Sequence, residues 1–137
     1  MTDGYGKPLP VPDEGSRPFF DGAAAGRLML QRCVPCGQWM WPVAPRCIAC
    51  MSGDIEWAPS AGLGTLYSFS LVHQVYHPGF AEEVPYNVAF VDLDEGVRVT
   101  TNVVGVAHQD LRVGLRLQAV FEPIAEGIFL PRFRSVA

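Results

Sequence analysis

The chain has 137 residues, a formal net charge of −4 and 49% hydrophobic residues. This length fits one domain or two small modules, and the apolar content suffices for a buried core. The acidic balance argues against a nucleic-acid surface. No apolar run approaches the roughly 18–20 residues that a membrane span needs. We therefore expect a soluble, cytoplasmic protein.

Before its cysteines, the sequence predicts an arm, a short helix and a strand. Residues 1–15 contain three prolines and three glycines and should form a flexible or extended arm, with slack favoured over order against a partner. Ser16 is a candidate N-cap with Pro18 in the first helical turn, and Gly26 is a natural stop. Residues 27–32 read as a strand.

All four cysteines lie in the stretch CVPCGQWMWPVAPRCIAC, as two C-x-x-C pairs. Each C-x-x-C turn presents two thiolates on one side of a backbone knuckle, and two facing knuckles supply a tetrahedral four-sulfur site. Gly37 follows the first pair, where glycine suits a tight turn. The spacing predicts one structural zinc per chain, with no open position for catalysis, bound by Cys33, Cys36, Cys47 and Cys50.

Disulfides, a redox pair or unliganded thiols fit this cysteine spacing less well than a metal site. Two disulfides would need an oxidising compartment, and the N-terminal residues do not read as a secretory signal. A thioredoxin-like redox site has one C-x-x-C rather than two facing pairs. Four unliganded buried cysteines would leave the paired spacing without a cause. Iron in a rubredoxin-like cage remains the minor alternative to zinc.

Large aromatic side chains surround this segment. Phe19 and Phe20 are expected to pack on a neighbouring surface, either of this chain or of a partner. Trp39 and Trp41 lie between the cysteine pairs, and two tryptophans exceed what a small zinc ribbon needs to cover its metal. Partner contact and internal packing therefore stay equally open for the two tryptophans.

From Asp54 onward the pattern predicts β-structure, with residues 55–57 closing the ribbon. Five strands follow, at 64–76, 86–94, 97–104, 115–122 and 128–136. Pro131 restricts the last strand to an edge or bulge position. Five strands with a tight hairpin between the second and third suit a small Greek-key barrel of the OB type, but the alternation alone does not distinguish it from another small barrel. The predicted organisation is mainly β, with an arm at 1–15, a short helix and rubredoxin-like zinc ribbon at 16–58, and a five-stranded OB-fold barrel at 59–137.

In this order, the motifs resemble a known family. The phrase FFDGAAAGRLMLQRC leads into C-x-x-C-G and P-R-C-x-x-C, followed by GLGTLYSFSLVH, PYNVAFVDLDEGVRVTTNVVG and LPRFR. These residues resemble the acyl-CoA-associated OB-fold proteins with a rubredoxin-like zinc ribbon, long described as a domain of unknown function. The resemblance implies a helper subunit beside thiolase-like enzymes or steroid side-chain aldolases of the lipid-transfer-protein type. MaoC-like hydratase domains are a further implied partner.

The resemblance also implies a CoA thioester as the substrate shared with the partner. Guanidinium groups bind phosphate bidentately, so five arginines are candidates for the CoA phosphates: Arg98, Arg112, Arg116, Arg132 and Arg134. The mouths and loops of OB barrels usually bind ligands. The residues expected there or at a partner interface are Phe19, Phe20, Trp39, Trp41, His73, His77, Phe80, Tyr86 and Asn87.

The sequence has no G-x-S-x-G elbow, P-loop or dinucleotide fingerprint. We therefore expect a subunit without catalytic residues of its own, in a hetero-oligomeric acyl-CoA complex of the thiolase, acyltransferase or aldolase type. It would dock the partner and help to bind acyl-CoA, with no nucleic-acid or membrane partner. A single-stranded nucleic-acid-binding OB protein is the alternative, disfavoured by the acidic charge and the single lysine. A third is an isolated acyl-CoA-binding or hydrolysing protein.

Overall fold

The structure, a computed structural model, describes residues 5–41 and 43–136. Two antiparallel sheets and one α-helix hold most of its regular structure. Within these ranges, no helix is long and apolar enough to cross a membrane. Positions 1–4 of the predicted arm and position 137 of the predicted barrel lie outside the described residues.

The first sheet belongs to the cysteine-rich segment. Helix α1 (Arg17–Ala24) precedes the strands β1 (Met29–Cys33), β2 (Trp39–Met40) and β3 (Ile55–Pro59). β1 lies in the centre and pairs antiparallel with both neighbours. Pro18 lies in the first turn of α1, and Gly26 has a φ of +77° just after the helix, as predicted. Ser16 occupies the N-cap position, as predicted, but its hydroxyl accepts a hydrogen bond from the backbone N–H of Asp13 and makes no cap hydrogen bond to the helix.

Five further strands form the second sheet: β4 (Leu63–Val72), β5 (Tyr86–Leu93), β6 (Arg98–Thr101), β7 (Arg116–Ala125) and β8 (Ile128–Ser135). Their order is β6-β5-β4-β7-β8, and all neighbours are antiparallel. Just after β6, Val103 forms a parallel bridge with Phe133 of β8, which brings the two ends of the curled sheet together. This strand order and closing contact confirm the predicted OB-type barrel.

Several strand ends differ from the predictions. β4 stops at Val72 rather than at residue 76, because its partner β5 begins directly opposite, at Tyr86. β2 has only two residues, too few for any periodicity to reveal it in the sequence. Pro131 lies within β8, which is the last strand in the sheet order and, among the described residues, makes only the bridge at Phe133 on its other side, in agreement with the edge position predicted for it.

The ribbon and the barrel share one hydrophobic core. Leu28 and Leu30 of the ribbon are buried together with barrel residues that include Leu66, Val91, Leu117 and Phe133. Phe19, Trp39 and Trp41 pack against this cluster. Helix α1 lies tightly on β1, because a Cβ added at Gly22 would fall 2.2 Å from Cγ of Met29. Internal packing therefore accounts for much of the aromatic surface of the ribbon.

Asn87 closes the barrel from inside. Its side chain is only 6% exposed. Its Nδ2 donates to the carbonyl of Val103 at 2.8 Å, and its Oδ1 accepts from the N–H of Val103 at 2.7 Å. The amide thereby satisfies both backbone groups of the residue that bridges to β8. Asn87, predicted at a barrel mouth or partner interface, instead has its side chain engaged within the barrel.

Replacing Asn87 with alanine should destabilise the fold by about 2–4 kcal/mol, since two buried backbone groups of Val103 would lose their partners. Urea unfolding monitored by circular dichroism measures this change. Ser70→Ala, at an exposed position on β4, is the control and should cost less than about 0.5 kcal/mol. Equal stability of the two variants would contradict the assigned role.

Candidate metal centre and adjoining groove

The four cysteine side chains converge on one point. All four Sγ atoms lie within 4.8 Å of one another. The Cys33–Cys50 and Cys36–Cys47 sulfur separations are 3.6 and 3.5 Å. These separations are far too long for disulfides, whose sulfurs lie about 2.05 Å apart. They approach the roughly 3.8 Å between sulfurs of a regular tetrahedron around zinc with Zn–S bonds of about 2.3 Å.

Two similar backbone turns place the sulfurs. The N–H of Gly37 donates to the carbonyl of Cys33 at 2.8 Å, and the N–H of Met51 donates to the carbonyl of Cys47 at 3.0 Å. Gly37 has a φ of +77° and Met51 a φ of +67°, so both turns end in the left-handed region. The second turn also directs the N–H of Ala49 and the N–H of Cys50 at Cys47 Sγ. The two knuckles are therefore near-repeats of one local structure.

The electrostatics of this cluster favour a cation. The N–H groups of Cys50 and Ala49 lower the pKa of the Cys47 thiol to about 6. At Cys33, the N–H of Cys36 favours the thiolate, but burial and the neighbouring thiols outweigh it and raise the pKa to about 12. Four thiolates this close repel one another unless a positive charge lies between them. A zinc ion supplies that charge, and the four-cysteine set fits a closed structural site.

A groove opens where α1 and the ribbon meet the barrel. Its first part has a volume of about 390 Å³, and its lining includes Phe19, Phe20, Trp41, Phe80, Tyr86 and Arg132. A second part, of about 650 Å³, adjoins it and shares Phe80, Tyr86, Asn102, Leu130 and Arg132. The Phe19 and Phe20 rings meet edge to face, and Phe80 lies 5.2 Å from the Tyr86 ring. Five of the nine residues predicted at a mouth or interface thus line one apolar groove.

The remaining predicted mouth residues lie elsewhere. Trp39 packs against the shared core, with the Arg32 guanidinium 5.7 Å from its ring. His73 is exposed in the loop after β4. His77 accepts a hydrogen bond from the N–H of Gly79 through Nδ1, and so caps the 3-10 turn at residues 78–80. At His77 one ring nitrogen is thus already committed to the turn.

The five candidate arginines are not brought to one place. Three form ion pairs: Arg98 with Asp92, Arg116 with Asp94 and Arg132 with Glu122. The Arg98 guanidinium also lies 3.4 Å from the centre of the Tyr67 ring, and Arg134 donates to the side chain of Gln118. Arg112 and Arg116 line a separate shallow cavity of about 360 Å³. Arg132 alone of the five lines the groove.

Sequence reasoning missed several groove residues. Asn102 and Leu130 line both parts of the groove, and Lys7 lines the second part. Asn102 and Leu130 lie in predicted strands, where the only signal in the sequence is alternation. Alternation does not reveal which outward-facing residues a neighbouring helix will cover. Lys7 lies in a segment whose composition indicates slack, so no local signal points to it.

Elemental analysis of the purified protein should give about one zinc per chain. Removal of the metal with a chelator should unfold the ribbon, because thiolate–zinc bonding supplies folding free energy that four protonated thiols cannot. The change is measured by near-ultraviolet circular dichroism of the tryptophans, with zinc added back as the control. A metal-free protein with the same spectrum and thermal midpoint would contradict a structural zinc.

Met51→Gly should stabilise the protein by about 1 kcal/mol, because a non-glycine residue in the left-handed region is strained and this side chain is largely exposed. Gly37→Ala is the reciprocal change at the first knuckle. An added Cβ there would meet Arg32 at an ordinary 3.6 Å, so its cost, also about 1 kcal/mol, is conformational. Both values come from thermal unfolding of the zinc-bound protein. Effects of the same sign in both variants would contradict the equivalence of the turns.

Comparison with known proteins identifies both parts of the chain. Residues 20–56 match the model described as "ChsH2, rubredoxin-like zinc ribbon domain", and residues 57–122 match "ChsH2, C-terminal OB-fold domain". A chain of the solved "Ltp2-ChsH2(DUF35) aldolase" is 34% identical, with a TM-score of 0.83, covering 94% of this chain and 100% of that one.

Curated relatives carry related names. A probable enoyl-CoA hydratase alpha subunit of Thermomonospora curvata is 35% identical over 93% of this chain, which spans only 40% of that protein. The benzoylsuccinyl-CoA thiolase subunit BbsA of Geobacter metallireducens is 34% identical over 71% of this chain and 58% of its own length. A DUF35 domain-containing scaffold protein of Methanocaldococcus jannaschii is 33% identical, covering 69% of this chain and 67% of that protein. The chain belongs to the DUF35 family, in which a ChsH2-type rubredoxin-like zinc ribbon precedes an OB-fold domain.

Proposed function

We propose that this chain is an accessory subunit of an acyl-CoA enzyme of the thiolase superfamily, which it docks and whose acyl-CoA it helps to hold. The observation that carries the proposal is the match to a chain of the Ltp2-ChsH2(DUF35) aldolase over that chain's whole length. A thiolase subunit among the relatives supports the same class of partner. Relatives named as hydratase alpha subunits add a hydratase as a second class of partner for the same scaffold.

The chemistry of the side chains supports an accessory role. All four cysteines belong to the metal centre, so no thiol nucleophile is left. In the part of the chain that the structure describes, the cysteines are the only set of three or more His, Cys, Asp or Glu ligand atoms that converge. His77, whose ring lies 6.3 Å from that of Phe80 at the groove, is engaged as a turn cap. Turnover would therefore depend on residues of the partner.

The ribbon knuckles are suited to docking. Val34, Ile48 and Met51 lie on or beside the two C-x-x-C turns and are 50%, 70% and 66% exposed. Exposed apolar side chains on a segment fixed by a metal form a rigid contact surface, which loses little conformational entropy when a partner covers it. The zinc would thus take no part in the reaction and would stabilise the conformation of the docking surface.

The groove is suited to the acyl-CoA. Its walls are mostly aromatic and aliphatic, which fits the pantetheine and acyl parts of the ligand. Arg132 lies at the junction of its two parts, with a side chain only 17% exposed and paired to Glu122. A phosphate that binds there would compete with the exposed carboxylate of Glu122 for the guanidinium. Ion pairs to exposed carboxylates are weak, so the phosphate could displace Glu122.

Co-expression with the proposed thiolase- or aldolase-type partner should give a stable complex that turns over its acyl-CoA. The isolated chain should not turn over CoA thioesters, because all four of its thiols belong to the metal centre and the proposed role leaves the chemistry to the partner. Size-exclusion chromatography and a thioester assay measure the two outcomes. Full solubility and activity of the partner in the absence of this chain would contradict the proposal.

A pair of variants separates docking from folding in the same complex. Ile48→Glu places a charge on the knuckle surface and should weaken partner binding by roughly tenfold or more. Val113→Glu, at a residue of similar exposure (67%) in the loop before β7, is the matched control and should leave binding unchanged.

A further inference from the structure

Residues 5–10 lie against the loop that carries Phe80. The Nζ of Lys7 is 2.8 Å from a carboxylate oxygen of Glu83, and the Lys7 side chain is only 14% exposed. The same Nζ lies 5.2 Å from the centre of the Phe80 ring and 5.1 Å from that of Tyr5. The only lysine of the chain is thus enclosed by two aromatic rings and an acid.

A backbone contact beside Lys7 fixes the position of this segment. A Cβ added at Gly79 would fall 2.2 Å from the carbonyl oxygen of Gly6 and 2.9 Å from the backbone nitrogen of Lys7. Gly79 does not have a positive φ, so its own backbone does not require glycine. The absence of a side chain there serves the close approach of residues 5–10 to the loop.

The same segment forms a wall of the groove. Tyr5, Pro8, Leu9 and Pro10 line its 650 Å³ part, opposite the barrel residues Val104 and Leu130. The part beside α1 has no residue of this segment in its lining. Removal of residues 5–10 would therefore leave the α1 end intact and open the other end to solvent.

We propose that residues 5–10 form a strap that covers one end of the groove, with Lys7 as its latch. The strap has no helix or strand, and among the described residues its polar attachment to the loop is one ion pair to a half-exposed carboxylate together with one cation–π contact, to Phe80. Contacts of this kind are individually weak, so the strap can open and reclose without unfolding the barrel. A ligand longer than the α1 end of the groove displaces it, and a shorter one is covered by it. The strap controls access to the groove whichever ligand or partner the chain binds.

Acetylation of Lys7 by sulfosuccinimidyl acetate measures strap closure in the purified zinc-bound protein. Because the chain has a single lysine, tandem mass spectrometry follows this side chain apart from the α-amino group. Gly79→Ala should displace the strap without altering any groove residue and should speed acetylation by roughly fivefold or more. Glu83→Gln, which removes only the ion pair, should give a smaller increase. Gly53→Ala, where the added Cβ meets Arg46 at an ordinary 3.7 Å, is the matched control.

Binding of the apolar dye 8-anilinonaphthalene-1-sulfonate then tests whether the strap covers the groove. The dye should bind several-fold more tightly to Gly79→Ala than to the wild-type or Gly53→Ala protein. Equal acetylation rates in the wild type, Gly79→Ala and Glu83→Gln would overturn the proposal, since the strap would not be held. Faster acetylation without any change in dye binding would also overturn it, because the segment would then be held but would not cover the groove. The isolated chain is used throughout, so failure of the partner proposal cannot produce either result.

Discussion

Four sulfur atoms held within 4.8 Å of one another are the constraint on which the N-terminal half of this protein depends. Thiolates at such distances repel, and a dication between them reverses the sign of the interaction. Cys33 ends β1, whereas Cys47 and Cys50 lie on the loop that leads to β3. The metal therefore fixes the central strand of a three-stranded sheet that has little core of its own.

The ribbon packs against the barrel through the side chains of Leu28, Leu30, Trp39 and Trp41. Leu28 and Leu30 enter the barrel core, and Trp39 and Trp41 cover it. The metal stabilises this packing from a distance, because β1 carries both Leu30 and Cys33. Strand β1 in turn positions helix α1, because the helix packs directly on β1 at Gly22. Phe19 and Phe20 of this helix line the groove, so a structural metal can influence the shape of the groove without lying in it.

The parts of the structure that were predictable from the sequence are those with local signals. Cysteine spacing identified the metal centre, and β-branched, aromatic and apolar runs together with period-2 alternation identified all five barrel strands. Side chains whose partners are distant in sequence were not predictable. Asn87 reads as a polar group available for a ligand, yet its partner Val103 is 16 residues away across the barrel. Arg98 and Arg116 read as phosphate ligands, but their acids face them only once the strands pair. Lys7 meets Glu83 only after the arm has folded back on the loop.

Hydrogen exchange of this chain, free and in complex with the proposed thiolase- or aldolase-type partner, tests the central claim most directly. A metal-fastened ribbon that docks the partner should gain protection in the two knuckles, at residues 34–37 and 48–51. The groove segments at 78–86 and 128–132 should gain further protection when acyl-CoA is added to the complex. Unchanged exchange in the knuckles, with protection confined to the far side of the barrel, would contradict the account.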